Sequence, residues 1–253
     1  MTIAPATHAP YRAGASPAGT LPMALSVLAV TARPGLESED LGGLLYAFRR
    51  AGATLSLLCL TRGEGGTRNA ASARLEAIRP WELQLACSVL GVFDLTVASY
   101  PDGGLYRQPV TELTDRIDRA IRLHRPDLLL IIAPEAGDRD DYTVAVAARA
   151  AAAQAGVPVA GRTTPGAPGA WVIDLGADAD TARAIQRSAA AAHSSQAESL
   201  PATLRRLDLL DDTEALRWVL PPRPVPAPRL EPIPAGVIPR PRSRPPLPAD
   251  FAG

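Results

Sequence analysis

The stretch ALSVLAVT, residues Ala24–Thr31, is short and almost continuously apolar. A run of this kind predicts a strand that is buried on both faces, as strands in parallel sheets are. Similar runs occupy Thr54–Leu60, Leu95–Ser99 and Leu128–Ala133, and Trp171–Leu175 is a candidate for a fifth strand. We therefore expect a sheet whose central strands are fully covered.

Helical patterns separate these runs. We expect one helix to be capped by Ser38 and ended by Gly52, because Ser is a favoured N-cap and Gly often follows a helix. The other helical segments are Ala70–Leu90, Thr111–His124, Asp141–Ala155 and Asp178–Ala192. Within the first of them, Pro80 is expected to start a new helix or to kink one. Strands alternating with helices predict a Rossmann-like α/β three-layer sandwich with a mainly parallel sheet.

The composition excludes several classes of protein. The 253 residues include 26 basic and 26 acidic side chains, without a single lysine, so the net charge is zero. A protein that tracks a nucleic-acid backbone normally has a basic excess. No apolar run approaches the roughly 18 residues of a membrane span, and the first twenty residues lack the pattern of a signal peptide. Cys59 and Cys87 lie in apolar segments and are expected to be reduced, buried thiols. We expect a cytoplasmic protein without nucleic-acid or membrane partners, and homo-oligomerisation stays open.

Three segments are predicted along the chain: a flexible tail at 1–20, one folded domain at 21–220, and a Pro-rich arm at 221–253. Proline recurs at about every second or third position of the arm, which excludes nearly all helix and strand there. The arm is a disordered or loosely packed tail, a polyproline II segment on the body or on a partner subunit, or an arginine-bearing recognition segment.

Ligands bind parallel sheets beyond the carboxyl ends of the strands, so the loops are informative. In order they read ARPGLESEDLGG (32–43), LTRGEGGTR (60–68), IRPWE then LGV (78–82 and 90–92), YPDGGL (100–105), RPDLLL (125–130), GDRDDYTVA (137–145) and AHSSQ (192–196). This series resembles the PIG-L/LmbE-like family of zinc-dependent de-N-acetylases, which remove acetyl groups from N-acetylglucosamine-type sugars. The resemblance covers about residues 24–196 and implies the same Rossmann-like fold.

The first loop departs from the family pattern. The family reads A-H-P-D-D-E, in which the His and the second Asp bind zinc and the first Asp is the general base. The corresponding residues here are Arg33, Leu36 and Gly35. Zinc needs about three His, Cys or carboxylate ligands. Arginine is always protonated and leucine has no donor atom, so neither can replace a ligand.

The later motif departs as well. In the family's H-P-D-H the last His is the third ligand and the first His helps to hold the oxyanion; here they are Tyr142 and Arg139. Asp141 and Glu37 keep their family identity. Among the three histidines, only His193 is expected to approach the pocket. We therefore expect no metal and no cofactor, and the zinc mechanism of the family cannot operate.

Two interpretations of Arg33 and Arg139 stay open. One is drift in a disused pocket. The other is an anion site near the former zinc position, because a guanidinium binds carboxylate or phosphate through two parallel hydrogen bonds. In that case the two side chains converge within a few ångströms, with Glu37 and Asp141 as counter-charges.

The remaining candidate ligand-binding residues are Glu64, Arg68, Asp102 and His193. Glu64 and Asp102 either bind sugar hydroxyls or stabilise turns.

Four more residues are expected to be structural. Arg79 and Glu82, one helical turn apart, are expected to form an ion pair. Ser194 and Ser195 are expected to point in different directions and to have a capping or packing role.

The favoured hypothesis is zinc-independent, non-catalytic binding of a sugar-like or anionic small molecule in the former deacetylase pocket. The alternative is a metal-independent amide hydrolase or de-N-acetylase for N-acetylglucosamine-type substrates. It would use Asp141, Glu37 and Tyr142 as acid–base groups, with Arg33 and Arg139 stabilising the oxyanion. A third class is an interaction subunit that presents the Pro-rich arm.

Overall fold

The computed structural model describes residues 20–65, 72–196 and 199–223. Within them, seven strands form one sheet in the order β3-β2-β1-β4-β5-β7-β6. The strands are β1 (Ser26–Thr31), β2 (Thr54–Thr61), β3 (Asp94–Tyr100), β4 (Leu128–Ile132), β5 (Val159–Arg162), β6 (Trp171–Asp174) and β7 (Thr213–Leu220). The pairs among β1 to β5 are parallel, whereas β7 is antiparallel to both β5 and β6. The prediction of an α/β fold with a mainly parallel sheet is confirmed.

The helices cover both faces of this sheet. They are α1 (Leu36–Glu39), α2 (Gly42–Arg50), α3 (Ser72–Leu90), α4 (Val110–His124), α5 (Arg139–Ala155), α6 (Ala179–Ala191) and α7 (Leu200–Leu207). Helices α4 and α5 pack together, and α6 packs against α2, α3 and α7. In α4, Leu113, Ile117 and Ile121 are buried at helical spacing. The five residues of β4 are all buried, as the apolar runs predict.

Two strands escape prediction from the sequence. β5 has only four residues, VAGR, and β7 reads TEALRWVL, which contains several good helix formers. Both become strands by pairing with each other, since tertiary context overrides weak local preferences. The expected fifth strand is β6.

The structure corrects one helix expectation and excludes one of the two alternatives for Pro80. Ser38 is not an N-cap: it lies within α1, and its hydroxyl donates to Glu37 Oε1 at 2.7 Å. The chain leaves the helical path after Glu39, and a second helix starts at Gly42. Pro80 was expected either to start a new helix or to kink one, and the first is excluded because α3 is one helix with Pro80 inside it. Buried residues on both sides of Pro80, including Leu75 and Leu83, hold the two halves against the core.

Further predictions concern the cysteines, membrane-spanning helices and the two ends of the chain. Cys59 and Cys87 are free, buried thiols, as predicted. None of the described helices combines the length and apolar character needed to cross a membrane. The predicted N-terminal tail up to residue 19 and the Pro-rich arm from residue 224 lie outside the described residues.

Candidate functional site

Loops from four parallel strands meet at their carboxyl ends. Arg33, which follows β1, forms an ion pair of 2.7 Å with Asp138, which precedes α5. Asp102, which follows β3, accepts a hydrogen bond of 3.1 Å from the Gly65 N–H. The Asp102 N–H in turn donates to Glu64 Oε1 at 2.9 Å. The loops after β1, β2, β3 and β4 thus form one surface, where the sequence places the site.

Arg33 is surrounded by acidic groups, and we call Arg33, Asp102, Asp138 and Asp141 the Arg33 cluster. Burial alone would lower the pKa of Arg33, but the charges of Asp138, Asp141 and Asp102 outweigh it and raise that pKa. The cluster therefore has three carboxyl groups for one guanidinium. The Arg33 guanidinium already has carboxylate partners within the protein.

Asp138 and Asp141 build the first turn of α5. Asp138 Oδ1 accepts hydrogen bonds from the N–H groups of Asp140 and Asp141 at 2.9 and 3.0 Å. Asp141 Oδ2 accepts one from the Asp138 N–H at 3.1 Å, which completes a capping box. Sequence analysis missed Asp138 as a site residue, although acidic residues at positions 138 and 141 have the spacing of a capping box.

The two carboxyl groups differ in their pKa. Burial would raise the pKa of Asp138, but the hydrogen bond from the Asp141 N–H and the charge of Arg33 hold it below its usual value. Burial and the nearby Asp138 charge raise the pKa of Asp141 to about 6. One member of the capping box therefore titrates close to neutral pH.

Glu37 and His193 form a buried pair beneath the loops. His193 Nε2 lies 2.7 Å from Glu37 Oε1, and the Gly35 N–H donates to Glu37 Oε2 at 2.8 Å. Burial opposes both charges, yet each partner stabilises the other: the pKa of Glu37 is lowered and that of His193 is raised. The pair connects the segment that follows β1 with the residues that follow α6, and Glu37 is fully buried.

Arg139 and Tyr142 lie on the exposed side of the first turns of α5. The guanidinium carbon of Arg139 lies 4.5 Å from the centre of the Tyr106 ring, a cation–π contact. The side chain of Tyr142 is largely exposed. The contacts thus give Arg139 an aromatic partner and Arg33 a carboxylate partner.

Glu64 and Asp102 stabilise the loops directly. Besides its bond to Gly65, Asp102 accepts a long hydrogen bond of 3.4 Å from the Thr61 hydroxyl. Burial raises the pKa of Asp102, although Arg33 opposes that shift. Glu64 Oε2 is buried and has no hydrogen-bond partner among the described residues, so it keeps capacity to accept one. Arg68 lies outside the described residues.

The expected ion pair between Arg79 and Glu82 is not formed. Glu82 Oε1 instead accepts hydrogen bonds from the Ser194 hydroxyl at 2.9 Å and from the Ser195 N–H at 2.6 Å, and Oε2 accepts the Ser195 hydroxyl at 2.6 Å. The expectation that the two serines point apart is also wrong. The 3-10 turn Ser194–Gln196 brings both hydroxyls to one carboxylate.

Arg79 is left as a buried cation. Its Nε and Nη2 atoms have no hydrogen-bond partner within the described part of the chain. Burial lowers the pKa of Arg79, and the charges of Asp102, Glu82 and Glu64 act against this. A cavity of about 350 Å³ lies beside the serine turn, lined by Arg74, Leu75, Ile78, Glu82, Ser194 and Ser195. Arg79 thus interacts electrostatically with both the Arg33 cluster and the cavity wall.

The residues present do not fit a zinc ion. At the positions of the family's ligands and base, Arg33 is a paired cation, Leu36 is buried hydrocarbon and Gly35 has no side chain. Gly35 has a φ of 106°, where any other residue would be strained. No group of three His, Cys, Asp or Glu side chains is placed to hold a metal in the parts that the structure describes.

Part of this sequence is similar to known proteins. Residues 28–152 match the family model described as "PIG-L: GlcNAc-PI de-N-acetylase". A probable N-acetyl-alpha-D-glucosaminyl L-malate deacetylase 2 of Bacillus anthracis is 32% identical over 113 residues, which are 43% of this chain and 50% of that protein. A Bacillus cereus protein of the same name is 28% identical over 121 residues, 46% of this chain and 55% of the relative. The chain thus spans about half the length of the curated relatives it matches.

Solved structures share the architecture at low identity. N,N'-diacetylchitobiose deacetylase from Pyrococcus horikoshii has a TM-score of 0.59 at 17% identity, covering 78% of this chain and 84% of that one. GalB, the 4-carboxy-2-hydroxymuconate hydratase from Pseudomonas putida, has a TM-score of 0.61 at 17% identity, with coverage of 78% and 97%. A deacetylation and a hydration are therefore both named among proteins with this fold.

Proposed function

The chain belongs to the PIG-L (LmbE-like) family, and from that premise we propose that it binds a sugar-like small molecule without zinc and without catalysis. The observation that carries the proposal is the Arg33 cluster, where a salt-bridged guanidinium and three carboxyl groups occupy the end of the sheet at which the family's metal is expected. The partner in this proposal is a small molecule in the cytoplasm, not a nucleic acid.

Loss of zinc follows from the chemistry of the first loop. Two of the expected ligands are replaced by Arg33 and Leu36, which have no free electron pair to offer a metal. The position of the general base is Gly35, whose backbone conformation disfavours an Asp side chain. Restoring the ancestral residues would therefore also require a change of backbone at residue 35.

A polyhydroxylated ligand suits the site better than a free anion. An anion would have to displace Asp138 from Arg33 and to approach two further carboxyl groups. Sugar hydroxyls both donate and accept, so they can bridge carboxylates and a guanidinium at once. The adjoining cavity adds Glu82 and two serine hydroxyls. The names of the relatives refer to N-acetylglucosaminyl and diacetylchitobiose compounds, which points to the same class.

One observation favours the alternative, a metal-independent amide hydrolase. The pKa of Asp141, raised to about 6 by burial and by Asp138, suits a general acid or base near neutral pH. The other acid–base candidates support it less, because Glu37 is buried against His193 and Tyr142 is largely exposed.

Metal analysis tests the first part of the proposal. We expect the purified protein to hold well under one equivalent of zinc, and a chelator to leave its Tm unchanged, because no bound metal contributes to stability. Stoichiometric zinc whose removal lowers the Tm would overturn zinc independence.

Titration with N-acetylglucosamine and with glucosamine tests the second part. We expect saturable binding that Arg33→Gln weakens by about tenfold or more, the loss of roughly one charge-assisted hydrogen bond. Arg119→Gln, on the outer face of α4, is the matched control and should leave binding unchanged. Absence of binding would overturn the proposal. Acetate release that persists with chelator and is lost in Asp141→Asn would establish the hydrolase instead.

A further inference from the structure

The outer face of α3 carries an exposed apolar ridge. Trp81, Leu85 and Val89 are spaced by four residues and are 74%, 58% and 37% exposed. Phe93, just past the helix end, is 85% exposed and continues the series. Side chains at i and i+4 are neighbours on a helix, so Trp81, Leu85 and Val89 form one strip, and Phe93 follows it in the chain after the turn at Gly91. We call these four residues the α3 ridge.

The four side chains of the α3 ridge are uncharged, although exposed Glu76 and Asp94 flank the ridge at its two ends. Its exposed neighbours within the helix include Gln84 and Ser88, whereas both charged residues between positions 77 and 93, Arg79 and Glu82, are buried. Helix α4 shows the opposite pattern, because its exposed positions carry Glu112, Asp115, Arg119 and Arg122. Contiguous exposed apolar patches on soluble proteins mark interaction sites, whereas scattered single residues do not.

The ridge leads into an edge strand. Phe93 immediately precedes β3, and within the described sheet β3 pairs only with β2. One side of β3 therefore presents backbone N–H and C=O groups that have no strand partner, which proteins normally cover or protect. An apolar helix face and an open strand edge are thus continuous.

We propose that this face is the interface of a homodimer, in which the α3 ridge packs against the same ridge of a second copy. A twofold interface must complement itself, and the four uncharged side chains of the ridge do so without like-charge repulsion. A ridge of residues spaced by four can pack into the groove of its copy at about −50°, the commonest helix crossing. Since each aromatic side chain offers about 150–250 Å², the ridge supplies roughly 500 Å² of apolar area per chain. A stable interface uses about 800 Å² per partner, and the rim can provide the rest.

The Pro-rich arm is a poorer occupant of this face. Proline-rich segments bind aromatic grooves, and the arm contributes Arg229, Arg240, Arg242 and Arg244. Between positions 77 and 93 the exposed face of α3 has no carboxylate, so only Glu76 and Asp94 at its two ends could pair with these four arginines. A second copy of the uncharged ridge leaves no such charge unpaired.

Sedimentation velocity on the full chain, from about 1 to about 100 μM, tests the interface. We expect a dimer, and Leu85→Arg should raise its dissociation constant by about 100-fold or more because a buried charge would lack a partner. Leu209→Arg is the matched control: Leu209 is 86% exposed but lies after α7, and its substitution should leave the dimer intact. Trp81→Glu is the second variant, and thermal unfolding verifies that each variant is folded.

The results that would contradict the homodimer can be told apart from failure of the proposed function, because none of these measurements uses a sugar or a metal. A monomer at all concentrations would overturn the interface, as would a dimer that Leu85→Arg and Trp81→Glu leave intact. A monomer in which Trp81 is protected from acrylamide quenching, judged against Trp81→Phe, would assign the face to the arm.

Discussion

Two aspartates one turn apart at the start of α5 carry opposite pKa shifts. Asp138 is stabilised as a carboxylate by backbone N–H groups and by Arg33, whereas Asp141 is more buried and feels the Asp138 charge. Identical side chains thus contribute to stability with opposite dependence on pH.

We expect Asp141→Asn to raise the Tm at pH 8 and to leave it unchanged at pH 4. Between the ordinary value of 3.8 and about 6, folded Asp141 keeps a proton that the unfolded chain releases. Its contribution to stability is therefore present at low pH and is lost as pH rises through 6. Each kcal/mol gained by removing the buried charge shifts the Tm by about 2–4 °C.

Asp138→Asn is the matched comparison. Because the pKa of Asp138 is lowered, its contribution is present above the unfolded value of 3.8 and is lost as pH falls through the folded value. The variant should therefore be less stable than the parent at pH 8. Thermal unfolding at both pH values measures the pair, and shifts of the same sign at pH 8 would contradict this account.

The buried Glu37–His193 pair gives a second prediction at this scale. Glu37→Gln and His193→Gln should each lower the free energy of unfolding by about 3 kcal/mol or more, because each leaves a buried charge without its partner. The double variant should lose less than the sum, by about 1–3 kcal/mol. As the pKa of His193 is raised, the contribution of its charge is complete below pH 6.5 and is lost at higher pH, above the folded pKa.

Denaturant titration at pH 6 and at pH 9 measures this cycle. Asp178→Asn is the control, since it breaks the exposed Arg50–Asp178 pair of 3.1 Å and should cost less than about 1 kcal/mol. Strict additivity of the two buried substitutions would show that Glu37 and His193 act independently.

At the scale of elements, α3 tolerates a proline in its interior. Pro80 has no N–H to donate to the carbonyl of Glu76, and its ring crowds the preceding turn. The helix nevertheless runs from Ser72 to Leu90, because the buried residues on either side of Pro80 anchor both halves. Local preference is here outweighed by packing.

Pro80→Ala should therefore raise the free energy of unfolding by about 1–2 kcal/mol, as the missing backbone hydrogen bond forms. Pro201→Ala is the control. Pro201 lies in the first turn of α7, where proline is tolerated, so its replacement should change stability by less than about 0.5 kcal/mol. Chemical denaturation measures both, and a loss of stability in Pro80→Ala would show that the ring itself packs favourably.

At the scale of the whole molecule, the sequence predicts what depends on short stretches of chain. β1, β2, β3 and β4 are apolar runs and were expected nearly where they occur. β5 and β7 become strands only through contact with each other, so no local signal announces them.

At the candidate site, too, the sequence predicts some features and not others. The positions that depart from the zinc motif, Arg33 and Tyr142 among them, are read directly from the sequence. The partners of the site residues cannot be read in this way. Asp138 is 105 residues from Arg33 along the chain. Ser194 and Ser195, which hydrogen-bond to Glu82, are 112 and 113 residues from it. Partner choice at that separation depends on how the loops assemble in space.

The place of β7 constrains how this protein is made. Among the described strands, β7 is the last in chain order and lies between β5 and β6, so neither of these can complete its pairing before β7 is made. While the ribosome is still adding residues 175–212, β5 has an open edge and β6 has no neighbour. Nascent chains expose such edges to aggregation. A premature stop in this interval would leave the loops after β1 to β4 complete. The released chain would nevertheless lack β7, so the edge of β5 would stay unpaired. Cellular quality control would therefore recognise the unpaired edge of the sheet rather than the candidate site.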